Sequence, residues 1–159
     1  MNYYREVYKN RSVITRLEKT DEVARQRATS QLWQLWFTQK GEIGRELLRR
    51  SQSFLDKGNF QKAEELLTEA IKNYPDFAEA WNRRAVLYFS LERYEQAKKD
   101  CEQVIQLIPY HFGALHGLGL CLLALGNYQD AIAAFRQALE VQPYALINQK
   151  LILECTALL

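Results

Sequence analysis

In three consecutive blocks of this chain, apolar side chains recur at spacings of three and four, the period of one helix face. The blocks themselves return every 34 residues. Ala63, Ala97 and Ala131 mark one recurring position, Phe60, Tyr94 and Tyr128 a second, and Pro75, Pro109 and Pro143 a third. Each block reads as two helices joined by a short turn. In the first block the leading helix is predicted over Glu46–Lys57, with Leu47, Leu48, Phe54 and Leu55 on its apolar side. Its partner runs from Phe60 to Tyr74 and stops at Pro75, which lacks an N–H and clashes with a continuing helix. Gly58-Asn59 and Gly126-Asn127 supply turn glycines suited to a left-handed backbone, but the middle block has Glu92-Arg93 there. A fixed period with paired helices predicts an all-α, right-handed helical solenoid, in which each unit buries its face on the next.

The pattern divides the chain into residues 1–43, a repeat array over 44–143 (units 44–77, 78–111 and 112–143), and a closing segment over 144–159. Residues 1–20 are mixed in character, and partial order is the expectation there. A helix is predicted from Asp21 to Gln39, capped by Asp21, with Val23, Leu32, Trp33, Trp36 and Phe37 on its apolar side. Gly41 and Gly44 then read as punctuation before the repeats. Asp76 is placed to cap the first helix of the second unit, and Glu79 stands three residues on, the spacing of a capping box. A last helix, predicted over Ala145–Leu158, covers the end of the array and is apolar on more than one side.

Charge and composition narrow the function classes. The net charge is +2, too small to suggest polyanion binding. Residues 1–40 hold eight Lys or Arg and four Asp or Glu, so the excess of base lies in the leading segment. Cys101, Cys121 and Cys155 are scattered, with no metal-ligand spacing, and read as reduced, buried thiols. His111 and His116 are five apart, the wrong spacing for a metal pair on one helix face. There is no nucleophile–base arrangement, phosphate-binding glycine loop or paired-carboxylate motif. The expectation is a protein with no catalytic residues, metal or cofactor. No 18-residue apolar run and no apolar leader core are present, so a cytoplasmic location is expected, with a plastid stroma or a membrane periphery as alternatives.

The recurring residues resemble the tetratricopeptide repeat family. The second unit matches at Trp81, Ala85, Tyr88, Tyr94, Ala97 and Pro109, and the third at Gly119, Gly126, Tyr128, Ala131, Phe135, Ala138 and Pro143. The first matches at Ser51, Phe54, Gly58, Ala63, Ala70 and Pro75. The resemblance is three in-register repeats over residues 44–143. Two phrases, PDFAEAWNRRA and HFGALHGLG, are similar to small stand-alone members of bacteria and plastids. The resemblance implies close helix crossings at Ser51, Ala85 and Gly119, with the aromatic residues as core.

The resemblance further implies a protein–protein interaction module or assembly scaffold, whose concave groove is lined by the first helix of each unit. Carried over by position, the groove holds Arg45, Leu48, Arg49 and Gln52, then Glu79, Asn82, Arg83, Val86 and Phe89, then Gly113, His116, Gly117, Leu120 and Leu123. It is basic at one end and apolar at the other. Arg49 and Arg83 are 34 residues apart, so they align on adjacent helices and can fork onto a carboxylate. Arg50 and Arg84 form a second aligned pair. Gly113 and Gly117 leave a shallow surface for an incoming helix. The expected partner is a peptide or helix of another protein, with an acidic element. Chaperone acidic tails are disfavoured, because the five clamp positions that the family uses for them hold Leu48, Gln52, Arg83, Gly113 and Gly117. No nucleic acid partner is expected: a helical-repeat RNA binder is an alternative function that the near-neutral repeat region argues against. Trp33, Trp36 and Phe37 have two readings: a helix packed on the first repeat over Leu47 and Phe54, or an exposed hook for a partner or a membrane surface. The apolar last helix is a candidate surface for self-association.

Overall fold

The computed structural model describes residues 11–19 and 21–159, all helix and connecting turns. Residues 1–10, part of the segment expected to be partly ordered, lie outside the described residues. Over 11–17 the chain is helical, and Leu17 is buried. The helices that follow are α1 (Glu22–Phe37), α2 (Gly41–Asp56), α3 (Phe60–Asn73), α4 (Ala78–Ser90), α5 (Tyr94–Leu107), α6 (Phe112–Ala124), α7 (Tyr128–Val141) and α8 (Leu146–Ala157). Three pairs, α2–α3, α4–α5 and α6–α7, form the three repeat units.

Side-chain size at the crossings sets the fold. Ser51, Ala63, Ala97 and Ala131 are fully buried, and Ala85 is nearly so. At Gly119 an added Cβ would lie 2.4 Å from the Phe135 ring, so only hydrogen fits between α6 and α7. Trp81 is held by its indole N–H, which donates to the Pro75 carbonyl at 2.9 Å. The thiols of Cys101 and Cys121, which lie apart in sequence, meet between α5 and α6. Their mutual hydrogen bond, with burial, pushes the Cys101 thiol far up. All three cysteines are free and buried.

Two local expectations change. The first helix of the first unit begins at Gly41, not near Glu46, so Gly44 is helical and packs under the ring of Phe77. Asp76 does not cap α4: its carboxylate pairs with Lys40 at 2.6 Å, and its carbonyl accepts from Gln39. Asp21 does cap α1, accepting from the N–H groups of Val23 and Ala24.

The leading helix meets the first unit at Phe37, which packs in one cluster with Leu47 and Leu48. It runs along the edge of the solenoid where the units meet, touching all three junctions in reverse order. Arg25 lies over the Tyr144 ring at 4.3 Å, and Gln142 donates to Thr29 at 3.2 Å. Trp33 and Trp36 pack on Phe112, and Gln39 and Lys40 reach Asp76. Its buried residues, Ala28, Leu32 and Trp36, share one core with Ala78, Val104, Ile108, Leu115 and Val141. Ala78, Ile108 and Val141 offer apolar surface at successive junctions, and this apolar stripe covers it, so the helix straps the units together.

The turn between α4 and α5 places Glu92 at φ 58°, while Gly58 and Gly126 take the same role at 71° and 80°. Glu92 is exposed, and a side chain in this region costs about 1–2 kcal/mol. Glu92→Gly is therefore expected to raise stability by about 0.5–1 kcal/mol after the added unfolded-state entropy of glycine. Thermal or urea unfolding checks it.

Candidate partner-binding groove

The groove positions of the first unit meet Arg83 of the second in one cleft of about 680 Å³, walled by α2, α4 and the end of α1, whereas Asn82, Val86 and Phe89 do not line it. From α2 come Arg45, Leu48, Arg49 and Gln52, and from α4 comes Arg83. Ser53 and Asp56 of α2, Gln34 and Phe37 of α1 and its C-cap Thr38 supply the remaining wall, and Asp56 accepts from Gln52 at 2.8 Å. Gln34 and Thr38 escape a sequence reading, because the family position code covers only the helices inside the repeats. The Trp33/Trp36/Phe37 spacing was the available signal that α1 presses on something apolar.

Each arginine of the cleft already has a carboxylate. Arg45 pairs with Glu42, and Arg49 makes a two-pronged contact with Glu46 at 2.8 and 2.9 Å. The Arg49 hydrogen bonds hold the Glu46 carboxyl below its ordinary range, and the reciprocal bond raises Arg49. Both partners are solvent-exposed, so the pair is readily exchanged for another anion. Arg83 is more constrained. It donates to Gln52 at 2.5 Å, lies 3.4 Å from Glu79 and stacks over the Phe37 ring at 4.9 Å. Arg84 does not join the groove: it forks onto the buried Asp100 at 2.7 and 2.9 Å and touches Thr68. The aligned Arg50–Arg84 pair thus does not form an anion site.

Beneath Arg83 lies a buried polar group. Glu79, 1% exposed, accepts from Asn82 at 3.2 Å and sits 3.3 Å from His111 Nε2. This replaces the expected capping box. His111 is the N-cap of α6, where its Nδ1 accepts from the Ala114 N–H at 3.1 Å. With Nδ1 accepting, the ring proton is on Nε2 and donates to Glu79. Trp36 stacks on this imidazole at 3.9 Å and 21°, and Trp33 meets it edge-on at 5.5 Å.

These contacts correct two expectations. Trp36 is 3% exposed, so its ring is not free as a hook for a partner or a bilayer. The space left at Gly113 is taken by the protein's own Trp33, since an added Cβ would meet that ring at 2.8 Å. Farther along, Val86 is exposed, while Phe89 is half-buried against Tyr94. His116 donates from Nδ1 to Asn148 of α8 at 2.6 Å. Leu120 and Leu123 are half-buried in the cluster that α8 completes with Leu151 and Cys155. The apolar half of the groove is therefore narrower than its sequence suggests. Among the described residues no three His, Cys, Asp or Glu side chains are placed to hold a metal, and no helix is long and apolar enough to cross a membrane.

Two family profiles described as tetratricopeptide repeat match residues 44–87 and 76–143, together the whole of the array. The chain belongs to the tetratricopeptide repeat family. A TPR repeat-containing protein of Rhizobium etli is 36% identical over 97 residues, which are 61% of this chain and 48% of that protein. The small glutamine-rich tetratricopeptide repeat-containing protein 2 of Saccharomyces cerevisiae is 36% identical over 75 residues, 47% of this chain and 22% of its own length. The chain thus spans about half or less of these curated relatives. Among solved structures, the second TPR domain of human RPAP3 in complex with the HSP70 peptide SGPTIEEVD matches with a TM-score of 0.66 at 25% identity, over 69% of this chain and 92% of that domain. The first TPR of Spaghetti (RPAP3), bound to the HSP90 peptide SRMEEVD, matches with a TM-score of 0.67 at 20% identity, over 70% and 88%. The expectation that acidic chaperone tails are disfavoured is not borne out by these neighbours, which carry such peptides. The tetratricopeptide fold is a protein-interaction fold.

The Trp36 indole N–H is buried with no acceptor. Trp36→Phe keeps a ring on His111 and removes this orphan donor, which offsets the cavity it leaves. Its stability is expected within about 1 kcal/mol of wild type, whereas Trp36→Ala is expected to lose about 3–5 kcal/mol. Chemical unfolding of the two variants checks the difference.

Proposed function

We propose that this protein is a binding module that takes an acidic peptide segment of another protein in the cleft between α1, α2 and α4. The observation that carries the reading is the grouping of Arg45, Arg49 and Arg83 around a cleft that Leu48 and Phe37 line with apolar surface. A peptide carboxylate would displace the exposed Glu46 from Arg49, and Arg83, held over Phe37 by Gln52 and Glu79, would present its edge without reordering. Gln34 and Gln52 would pair with the peptide backbone. Val86 and Phe89 would receive a following apolar side chain. Two-pronged guanidinium–carboxylate contacts are strong and directional, so they would fix the orientation of the peptide.

The neighbours that carry HSP90 and HSP70 peptides support an acidic chain end as the ligand class. The clamp side chains themselves differ here, with arginines on α2 and α4 and no charged groove residue at Gly113 or Gly117. The charge would therefore be gathered toward the first unit, and the bound segment would be short.

The test is fluorescence polarisation with labelled SRMEEVD, against a version whose three acidic residues are replaced by Gln, Gln and Asn and whose C-terminus is amidated. Binding of the acidic peptide alone, weakening with salt and falling at least about tenfold in Arg49→Glu, is the expected result. Arg49 is exposed, so this variant keeps the fold, which circular dichroism verifies. Equal binding of both peptides, or no loss in the variant, would overturn the reading.

A further inference from the structure

The last helix occupies the place of the first helix of a fourth unit. It begins at Leu146, 34 residues after Phe112, which itself follows Ala78 by 34. Its Gln149 donates to the Pro143 carbonyl at 3.2 Å, as Trp81 does to Pro75 from the same repeat position. Asn148, Leu151 and Cys155 are buried toward α6 and α7. Among the described residues the opposite face is exposed. Leu146 stands where Ala78 and Phe112 stand in complete units, and Leu153 where Ala85 and Gly119 stand. Those four residues are buried, whereas Leu146 is 73% exposed and Leu153 71%. A bulky leucine at a position that elsewhere must be small is suited to an open face.

We infer that this face pairs with the same face of a second copy of the chain, with the two α8 helices antiparallel. The argument is self-complementarity. Leu146, Lys150, Leu153 and Ala157 form a stripe with spacings of four, three and four, flanked by Ile147 and Glu154. A twofold axis near Ile152 sets Lys150 of each copy beside Glu154 of the other, and Leu146 beside Leu158. A parallel pairing would set lysine against lysine. Within one chain Lys150 and Glu154 are 3.7 Å apart and both exposed, so the ion pair exchanges to the intermolecular partner at little cost. The result is an isologous, closed dimer. A contact along one helix of about 18 Å is short for an interface, so the dimer is weak and concentration-dependent. The groove lies on the other end of the array and is left open.

Sedimentation velocity of the full chain over a range of concentrations tests this. A monomer–dimer equilibrium is expected, weakened at least about tenfold by Lys150→Glu and by Glu154→Lys singly, through like charges at the axis. The double variant Lys150→Glu/Glu154→Lys is expected to restore it. Both changed positions carry exposed side chains, and far-ultraviolet circular dichroism verifies that the fold is kept. A monomer at every concentration would overturn the inference, as would dimers that ignore single charge reversal or are not restored by the double variant. An assembly that Leu153→Glu leaves intact would place the contact elsewhere and overturn it equally.

Discussion

The array rests on how closely the two helices of each unit cross. At Gly119 the Phe135 ring fills the volume that a Cβ would need, and Ser51, Ala85 and the three alanines of the second helices keep the other crossings similarly tight. Close crossing lets aromatic and branched side chains fill the space between units, so each pair packs on the next at a fixed offset. That offset puts residues 34 apart on neighbouring helices at one surface. The alignment of Arg49 with Arg83 is thus a consequence of small side chains some distance from either arginine.

A stack of this kind is held only by contacts between neighbours, and α1 adds a different constraint. It spans the three junctions on one edge and carries two tryptophans into the seam between α4 and α6. The buried Glu79–His111 contact under Trp36 joins the second unit to the third and fixes the carboxylate that faces Arg83. Packing at the strap and electrostatics in the groove are therefore coupled. The same helix narrows the apolar half of the groove at Gly113 and adds a polar wall at the basic half, concentrating recognition near the first unit.

The repeat array was legible because the same side-chain sizes return at the same interval, and Pro75, Pro109 and Pro143 close each unit. Even the uncomfortable turn at Glu92 could be read from the missing glycine. The groove residues on α2 and α4 were legible as positions. Their partners were not, since Glu46, Gln52, Glu79 and Asp100 compete for the guanidiniums and only geometry decides among them. Gly44 resembled a break because glycine is a poor helix former, yet Phe77 needs the space it leaves. Asp76 and His111 take their roles from contacts made at long range in sequence or in the core: a lysine of the leading segment took the aspartate, and a buried imidazole caps α6. The route of α1 had no periodic signature, because it belongs to no repeat and packs on surfaces contributed by all three.

The central claim, that an acidic peptide seats in the cleft between α1, α2 and α4, is tested most directly by amide chemical-shift mapping of the labelled protein during titration with SRMEEVD. The account predicts saturable shifts that concentrate at Gln34, Phe37, Arg49, Gln52 and Arg83. Shifts confined to α3, α5 and α7, or to the outer face of α8, would contradict it.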